Sequence, residues 1–501
     1  MTSSRLLARN TLLNTGAQLV PMIAAFVAIP ILIRALGADR FGVLTLAWAV
    51  IGYFSLFDLG LSRALTHAVA SRLGLDDSAT DLGEVVWTSM VLMFVLGVVG
   101  GIVLAALATW VVGHGLNVPA HLIGESRETL YLLALSMPLI VTTAGFRGLL
   151  EGHQHFGASV ALRMPLGVFS FVGPLLVLPF SRALPPIVAL LVVGRLLTWI
   201  AHLVVCLRRY PYLRERLAVR ASAALPLLRL GGWMTVSNIV SPLMVYLDRF
   251  VIGAILPLAA VAHYVTPYEL VSKLSLFPQS LMGVFFPAFA TSFASDRERM
   301  AALFGRSLRA LLLFMFPLAF ILVLFAHEGL SLWVGAAFAA ASAPVLRWLA
   351  VGIFINSLAH APFNALQGIG RPDLTGKLHL VELPFYLGAL YLFAHAFGIV
   401  GVAMAWVLRI SVDSAALLIV TTRKVPSVSP EVRTVTAWAT VALALLIAAA
   451  TMHGLVAKAI FLVLVLAGYA VASWTRIVHP LERRTLLRVI GLDARDPVPR
   501  I

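Results

Sequence analysis

The chain has 501 residues, of which 60% are apolar and only 12% charged, and its mean hydropathy is +0.97. Soluble domains carry about 25% charged residues, so no water-soluble fold accommodates this composition; apolar runs of about 20 residues, enough to cross about 30 Å of hydrocarbon, recur along the whole length. The formal charge of +15 does not point to nucleic acid, because the basic residues sit between the apolar runs.

The first run, at about 11–33, follows Arg5 and Arg9 as a secretory signal would. It is longer than a signal's apolar region and ends in Arg34 without a small-residue cleavage pattern, so it reads as a retained helix. Further spans are expected at about 41–63, 85–112, 128–150, 158–180, 185–207, 229–252, 260–291, 308–334, 343–366, 376–396, 398–422, 434–453 and 455–475. The expected fold class is therefore an all-α polytopic membrane protein of about fourteen helices. Cys206, the single cysteine, lies in one of these runs, which leaves neither a disulfide framework nor a thiolate metal site.

Placing the N-terminus inside puts Arg63, Arg72, Arg147, Arg163, the stretch from Arg208 to Arg229, and Arg297 to Arg309 in cytoplasmic segments. Arg371, Lys377, Arg423, Lys424, Arg433 and the basic tail fall on the same side. The opposite segments hold only Arg34, Arg40, Arg127, Arg182 and Lys458. On short loops this bias sets the orientation, with both termini cytoplasmic. No connecting segment exceeds roughly 25 residues, too short for an extramembrane catalytic domain; the function is expected among the helices, and not to be enzymatic.

The longest basic segment divides the chain into a six-helix lobe, 1–207, an inter-lobe loop, 208–228, a second six-helix lobe, 229–425, and two additional helices with a basic tail, 426–501. The lobes echo each other. Phe146-Arg-Gly-Leu-Leu-Glu-Gly152 ends the fourth span and Pro362-Phe-Asn-Ala-Leu-Gln-Gly368 the tenth, and Arg195 and Arg409 follow at nearly equal separations. Asn14, Gln18 and Pro21 interrupt the first span as Asn238 and Pro242 interrupt the seventh. Six spans per lobe make these parallel repeats about an axis along the membrane normal, which would enclose a central cleft.

A charge at mid-bilayer costs roughly 2.5–3.5 kcal/mol on insertion scales and should face protein or a wet cavity. The candidates are Arg195, Arg249, Lys273, Arg347 and Arg409 as a cationic substrate pathway, with Asp58, Asp248, Glu269, Glu382 and Asp413 as charge partners or ion-coupling groups. Glu269 with Lys273, and Arg409 with Asp413, stand four residues apart and can neutralise each other on one helix face. Arg195 and Arg347 have no acid three or four residues away in either direction, so they call for another helix, water or an anionic substrate. Asp248 and Arg249 point to different faces and are equally readable as anchors at the outer interface. Pro21, Asn238 and Pro242 mark the first and seventh spans as candidate gate helices, since proline removes a helical hydrogen bond. The histidines lack ligand spacing and no phosphate-binding loop of the GxxxxGK[ST] kind occurs, so neither metal nor other cofactor is expected.

Arg34-Ala-Leu-Gly-Ala-Asp-Arg-Phe-Gly42 with Asp58-Leu-Gly-Leu61 resembles the opening of the polysaccharide flippases of the multidrug/oligosaccharidyl-lipid/polysaccharide exporter superfamily. Tyr246-Leu-Asp-Arg249, Asn364-Ala-Leu-Gln-Gly-Ile-Gly-Arg-Pro372 and Gly398-Ile-Val-Gly-Val-Ala403 are similar to later family patterns. The resemblance implies two six-helix lobes around a V-shaped cleft in a bacterial inner membrane. It also implies alternating access and a substrate built of an oligosaccharide repeat unit on undecaprenyl pyrophosphate, moved from the cytoplasmic to the periplasmic leaflet for exopolysaccharide, capsule or O-antigen synthesis. The expected partners are that substrate, the bilayer, a polysaccharide polymerase and a chain-length regulator. A drug/cation antiporter of the same superfamily, a lipid II flippase and a membrane enzyme acting on lipid-linked sugars are the competing readings.

Overall fold

A computed structural model describes residues 4–54, 60–73, 79–215, 218–220, 244 and 246–477, and every regular element among them is helical. A backbone in hydrocarbon must satisfy its own hydrogen bonds, and long apolar runs do this as helices. The helices are α1 (Ser4–Phe54), α2 (Leu61–Leu73), α3 (Ala79–Trp110), α4 (Ile123–Gly152), α5 (Phe156–Val177), α6 (Leu184–Arg209) and α7 (Ala259–Ser272). They continue with α8 (Leu276–Ser295), α9 (Arg297–Leu324), α10 (Ala326–Val334), α11 (Ala336–Gly368), α12 (Pro372–Lys424), α13 (Ser429–Thr451) and α14 (Leu455–Ala472).

Ten helical stretches among the described residues are long and apolar enough to cross a membrane. Two of them join expected spans into one helix: α1, which carries the first span and the second as far as Phe54, breaks only at Gly37 (φ 76, ψ 167), and α12, which carries the eleventh and twelfth, only at Gly398 (φ 59, ψ −141). A single residue with positive φ suffices because glycine has no Cβ to clash, so the expected loop at 34–40 is helical on both sides of its glycine. The expected span at 260–291 is divided by a 3-10 turn at Lys273–Ser275. Pro278 thereby falls in the first turn of α8, where a missing N–H costs nothing. Most of the expected span at 229–252 lies outside the described residues.

The chain forms two compact units. The first comprises residues 1–269, 332–342 and 379–405. At its centre is α4, and Gly97 and Gly101 of α3 let that helix approach closely. A Cβ on Gly97 would lie 2.5 Å from Pro138 Cα, and one on Gly101 would lie 2.6 Å from the Ala134 carbonyl oxygen, the acceptor that Pro138 leaves without its helical donor. At the other end Thr66 donates to Gly148 O at 3.0 Å, above a core that includes Leu65, Met93, Leu149 and Cys206. Trp87 Nε1 donates to Leu213 O at 3.0 Å, and Arg220 pairs with the buried Glu84 at 2.7 Å; together they fasten the start of the inter-lobe segment to α3.

The second unit comprises 270–331, 343–378 and 406–501. In it the two C-terminal helices, for which the sequence suggests no role, dock on α9. Arg309 pairs with Glu431, Tyr469 OH donates to Leu312 O at 3.0 Å, and the Phe316 and Tyr469 rings lie 4.7 Å apart. Lys458, 3% exposed, donates to both carboxylate oxygens of Glu328 at 2.7 and 3.0 Å. Arg309, which sequence position suggested as a loop residue, is thus a buried partner within α9.

Candidate functional site

Three helices of the first unit, α4, α5 and α6, enclose a cavity of about 100 Å³. Its polar lining is Thr143 and Arg147 from α4, Arg163 from α5, and Arg195, Thr198 and His202 from α6. The local reason is helical periodicity: Arg195, Thr198 and His202 stand at i, i+3 and i+7, and Thr143 and Arg147 at i and i+4, so each set shares a face. Two contacts set these faces against each other. Trp199 Nε1 donates to Thr142 Oγ1 at 2.8 Å and ties α6 to α4. On α6, Gly194 leaves room for the Phe169 ring of α5, which lies 2.5 Å from where a Cβ would be.

His202 Nδ1 lies 2.8 Å from the Thr198 carbonyl oxygen. A carbonyl only accepts, so Nδ1 carries the proton and Nε2 is left as the acceptor. Arg147 stands 3.9 Å from Glu151, whose Oε1 also accepts from Ser159 OH at 3.2 Å. Among the described residues neither Arg163 nor Arg195 has a hydrogen bond or salt bridge, and no carboxylate lines the cavity. Three guanidinium groups around one small space repel each other and lose hydration, a cost that water or an anion must offset. A guanidinium presents a planar fork of donors that matches phosphate or carboxylate.

A second cluster surrounds Arg249, which is 3% exposed, beside Asp248 at 1%. Arg249 Nη2 donates to Glu269 Oε1 at 3.1 Å, and its guanidinium lies 5.1 Å from the Tyr246 ring centroid and 5.3 Å from that of Tyr268. Asp248 accepts from Tyr264 OH at 2.8 Å and from the Arg249 backbone N–H at 2.7 Å. The two residues are therefore buried, not anchors at the interface, and Arg249 engages the Glu269 carboxylate from another part of the chain. One guanidinium and two carboxylates thus share this cluster, each with a partner from within the protein.

Of the other expected residues, Arg347 is half-buried on α11, with Nε buried and unpartnered. Lys273 is in the 3-10 turn before α8, Arg409 is half-buried on α12, and Glu382 and Asp413, both 6% exposed, lie on the same long helix. Pro21 in α1 lies against α5, where a Cβ on Gly167 would come 2.7 Å from Pro21 Cγ. Asp58, Asn238 and Pro242 lie outside the described residues. Sequence reasoning missed Arg147, Arg163 and His202 as cavity residues by reading the two arginines as loop charges. The signal that could have found them is the polar stripe Arg195, Thr198, His202 on an otherwise apolar helix.

Residues 7–293 match the family model described as "Polysaccharide biosynthesis protein". Over 415 residues the chain is 29% identical to the "Putative O-antigen transporter" of Shigella flexneri, covering 82% of this chain and 96% of that one. Over 394 residues it is 22% identical to the "Probable low-salt glycan biosynthesis flippase Agl15" of Haloferax volcanii, covering 78% of each. Its fold is similar to that of an inward-facing multidrug resistance MATE family transporter of the MOP superfamily, with a TM-score of 0.72 at 15% identity, covering 83% of this chain and 98% of that structure.

Proposed function

Since the chain belongs to the polysaccharide biosynthesis protein family, we propose that it is a flippase for undecaprenyl-pyrophosphate-linked oligosaccharide repeat units. It carries them from the cytoplasmic to the periplasmic leaflet of a bacterial inner membrane, by alternating access of two six-helix lobes, and hands them to a polymerase working with a chain-length regulator. The observation that carries this reading is the carboxylate-free cavity of Arg147, Arg163 and Arg195. An anionic headgroup on a lipid needs bidentate cationic partners at membrane depth, while its polyprenyl tail stays in hydrocarbon at no cost. Arg347 and Arg409 are proposed as further cationic residues of the substrate pathway. The buried Arg249 cluster serves as a fixed strut, and Asp58, Glu382 and Asp413 are the proposed ion-coupling groups.

The test is reconstitution. Purified protein in liposomes should move a short-chain polyprenyl-pyrophosphate oligosaccharide across the bilayer, read by accessibility of the sugar to an added lectin or glycosidase. If the sugar stays put while cation-coupled dye efflux occurs, the protein is a drug/cation antiporter and the flippase reading is wrong.

A further inference from the structure

The outer end of the first unit carries contacts between residues far apart in the chain. Asn117, in the segment between α3 and α4, donates its backbone N–H to Gly253 O at 2.7 Å and its Nδ2 to Ala254 O at 3.0 Å. On α1, Gly42 comes so close to the segment before α7 that a Cβ there would lie 2.5 Å from Leu258 O. The longest-range of these contacts joins α1 to the end of α10. Trp333 Nε1 donates to the Phe26 carbonyl oxygen at 2.6 Å across 307 positions of sequence, and the two rings stack at 4.9 Å and 10°.

The acceptor in that bond is special. In a helix the carbonyl of residue 26 would accept from the N–H of residue 30, and residue 30 is Pro30, which has none. Pro30 therefore leaves an orphan carbonyl in hydrocarbon, where an unsatisfied polar group is expensive, and the Trp333 indole supplies the missing donor. Trp333 is itself placed by Gly335 (φ +102), two residues later, where the chain turns from α10 into α11. Phe26 remains 52% exposed even with the indole stacked on it, so the contact joins two surfaces and is not core packing. Its strength matches: one hydrogen bond, worth about 0.5–1.5 kcal/mol net, plus one aromatic pair of about the same size. That holds a closed state yet can be broken in a transport cycle.

We infer that the Phe26–Trp333 pair, keyed on the carbonyl freed by Pro30, is an outer gate latch: it closes the pathway to the outside and must release for cargo to leave. The inference rests on the transport reading. Its test is labelling by a membrane-impermeant maleimide in a Cys206→Ser background. Met22→Cys, one turn inward from Phe26 on the same face of α1, reports the gate, and His121→Cys on the exposed outer segment sets the rate for an open site. Trp333→Phe keeps a stacking ring but deletes the donor, and Pro30→Ala returns the helical N–H that competes for the Phe26 carbonyl. Each should raise the Met22→Cys labelling rate about fivefold, the worth of one lost hydrogen bond, with His121→Cys unchanged. Met22→Cys labelling that is the same in the parent and in both variants overturns the latch. Should labelling rise as expected while the parent protein moves no lipid-linked sugar, the transport reading falls and the gate stands. Transport by the parent with unchanged labelling removes the gate alone.

Discussion

Glu269→Gln tests whether the Arg249 cluster is a strut. The substitution keeps the size of the side chain and one oxygen acceptor but removes the negative charge that lies 3.1 Å from Arg249 Nη2. Arg249 is 4% exposed at its side chain and Glu269 23%, so water cannot replace the lost partner at the guanidinium. Removing one member of a buried pair costs about 3–5 kcal/mol. The adjacent Asp248 and the two tyrosine rings still offset part of the bare charge, which puts the expected loss at the lower end, about 3 kcal/mol. At about 2 °C per kcal/mol for a unit of this size, the thermal midpoint in detergent, followed by size-exclusion recovery after heating, should fall by about 6 °C. The double variant Arg249→Met with Glu269→Leu removes this pair but leaves the buried Asp248 carboxylate to the Tyr264 hydroxyl and a backbone N–H, so it should recover only part of that loss. A midpoint for Glu269→Gln within about 1 °C of the parent would refute the argument, since it would mean Arg249 does not depend on Glu269.

Arg195→Ala and Arg409→Ala should each lower translocation about tenfold or more, because a charged hydrogen bond is worth about 1.5–3 kcal/mol, while membrane insertion stays normal; full transport by both variants in the liposome assay would remove them from the pathway. Gly401→Ala should sharply reduce the yield of monodisperse protein, because the added Cβ collides with the Phe393 backbone carbonyl, which cannot move as a side chain could; recovery at the parent level would contradict the packing described. Burial, aided by His155, pushes His153 down from 6.5 to about 4. The unfolded chain then binds a proton that the folded chain does not, so the contribution of this group is intact above pH 6.5 and is lost as pH falls toward about 4. Thermal midpoints should accordingly decline over that interval, and His153→Gln should flatten the decline.

Much of the architecture is legible in the residues themselves. Span positions follow from apolar run length, because a helix is the solution open to a single segment that must satisfy its backbone in hydrocarbon. That Arg195 lacks an acid on its own helix face is visible too, since one would have had to stand three or four positions away, and none does. Partners across helices are another matter. Spacing offered Glu269 a lysine four positions away, and only the packing shows that the buried Arg249, 20 positions away, engages it as well. Likewise Arg147 and Arg163 read as loop charges, and only the approach of α4, α5 and α6, set by Gly194, Phe169 and Trp199, turns them inward beside Arg195. The difference is physical: burial in a bilayer and helical periodicity act on each segment alone, whereas the neutralisation of a charge depends on which faces meet. Those faces are chosen by small residues and single hydrogen bonds whose partners lie far away in the chain, as the Trp333 indole on the Phe26 carbonyl demonstrates.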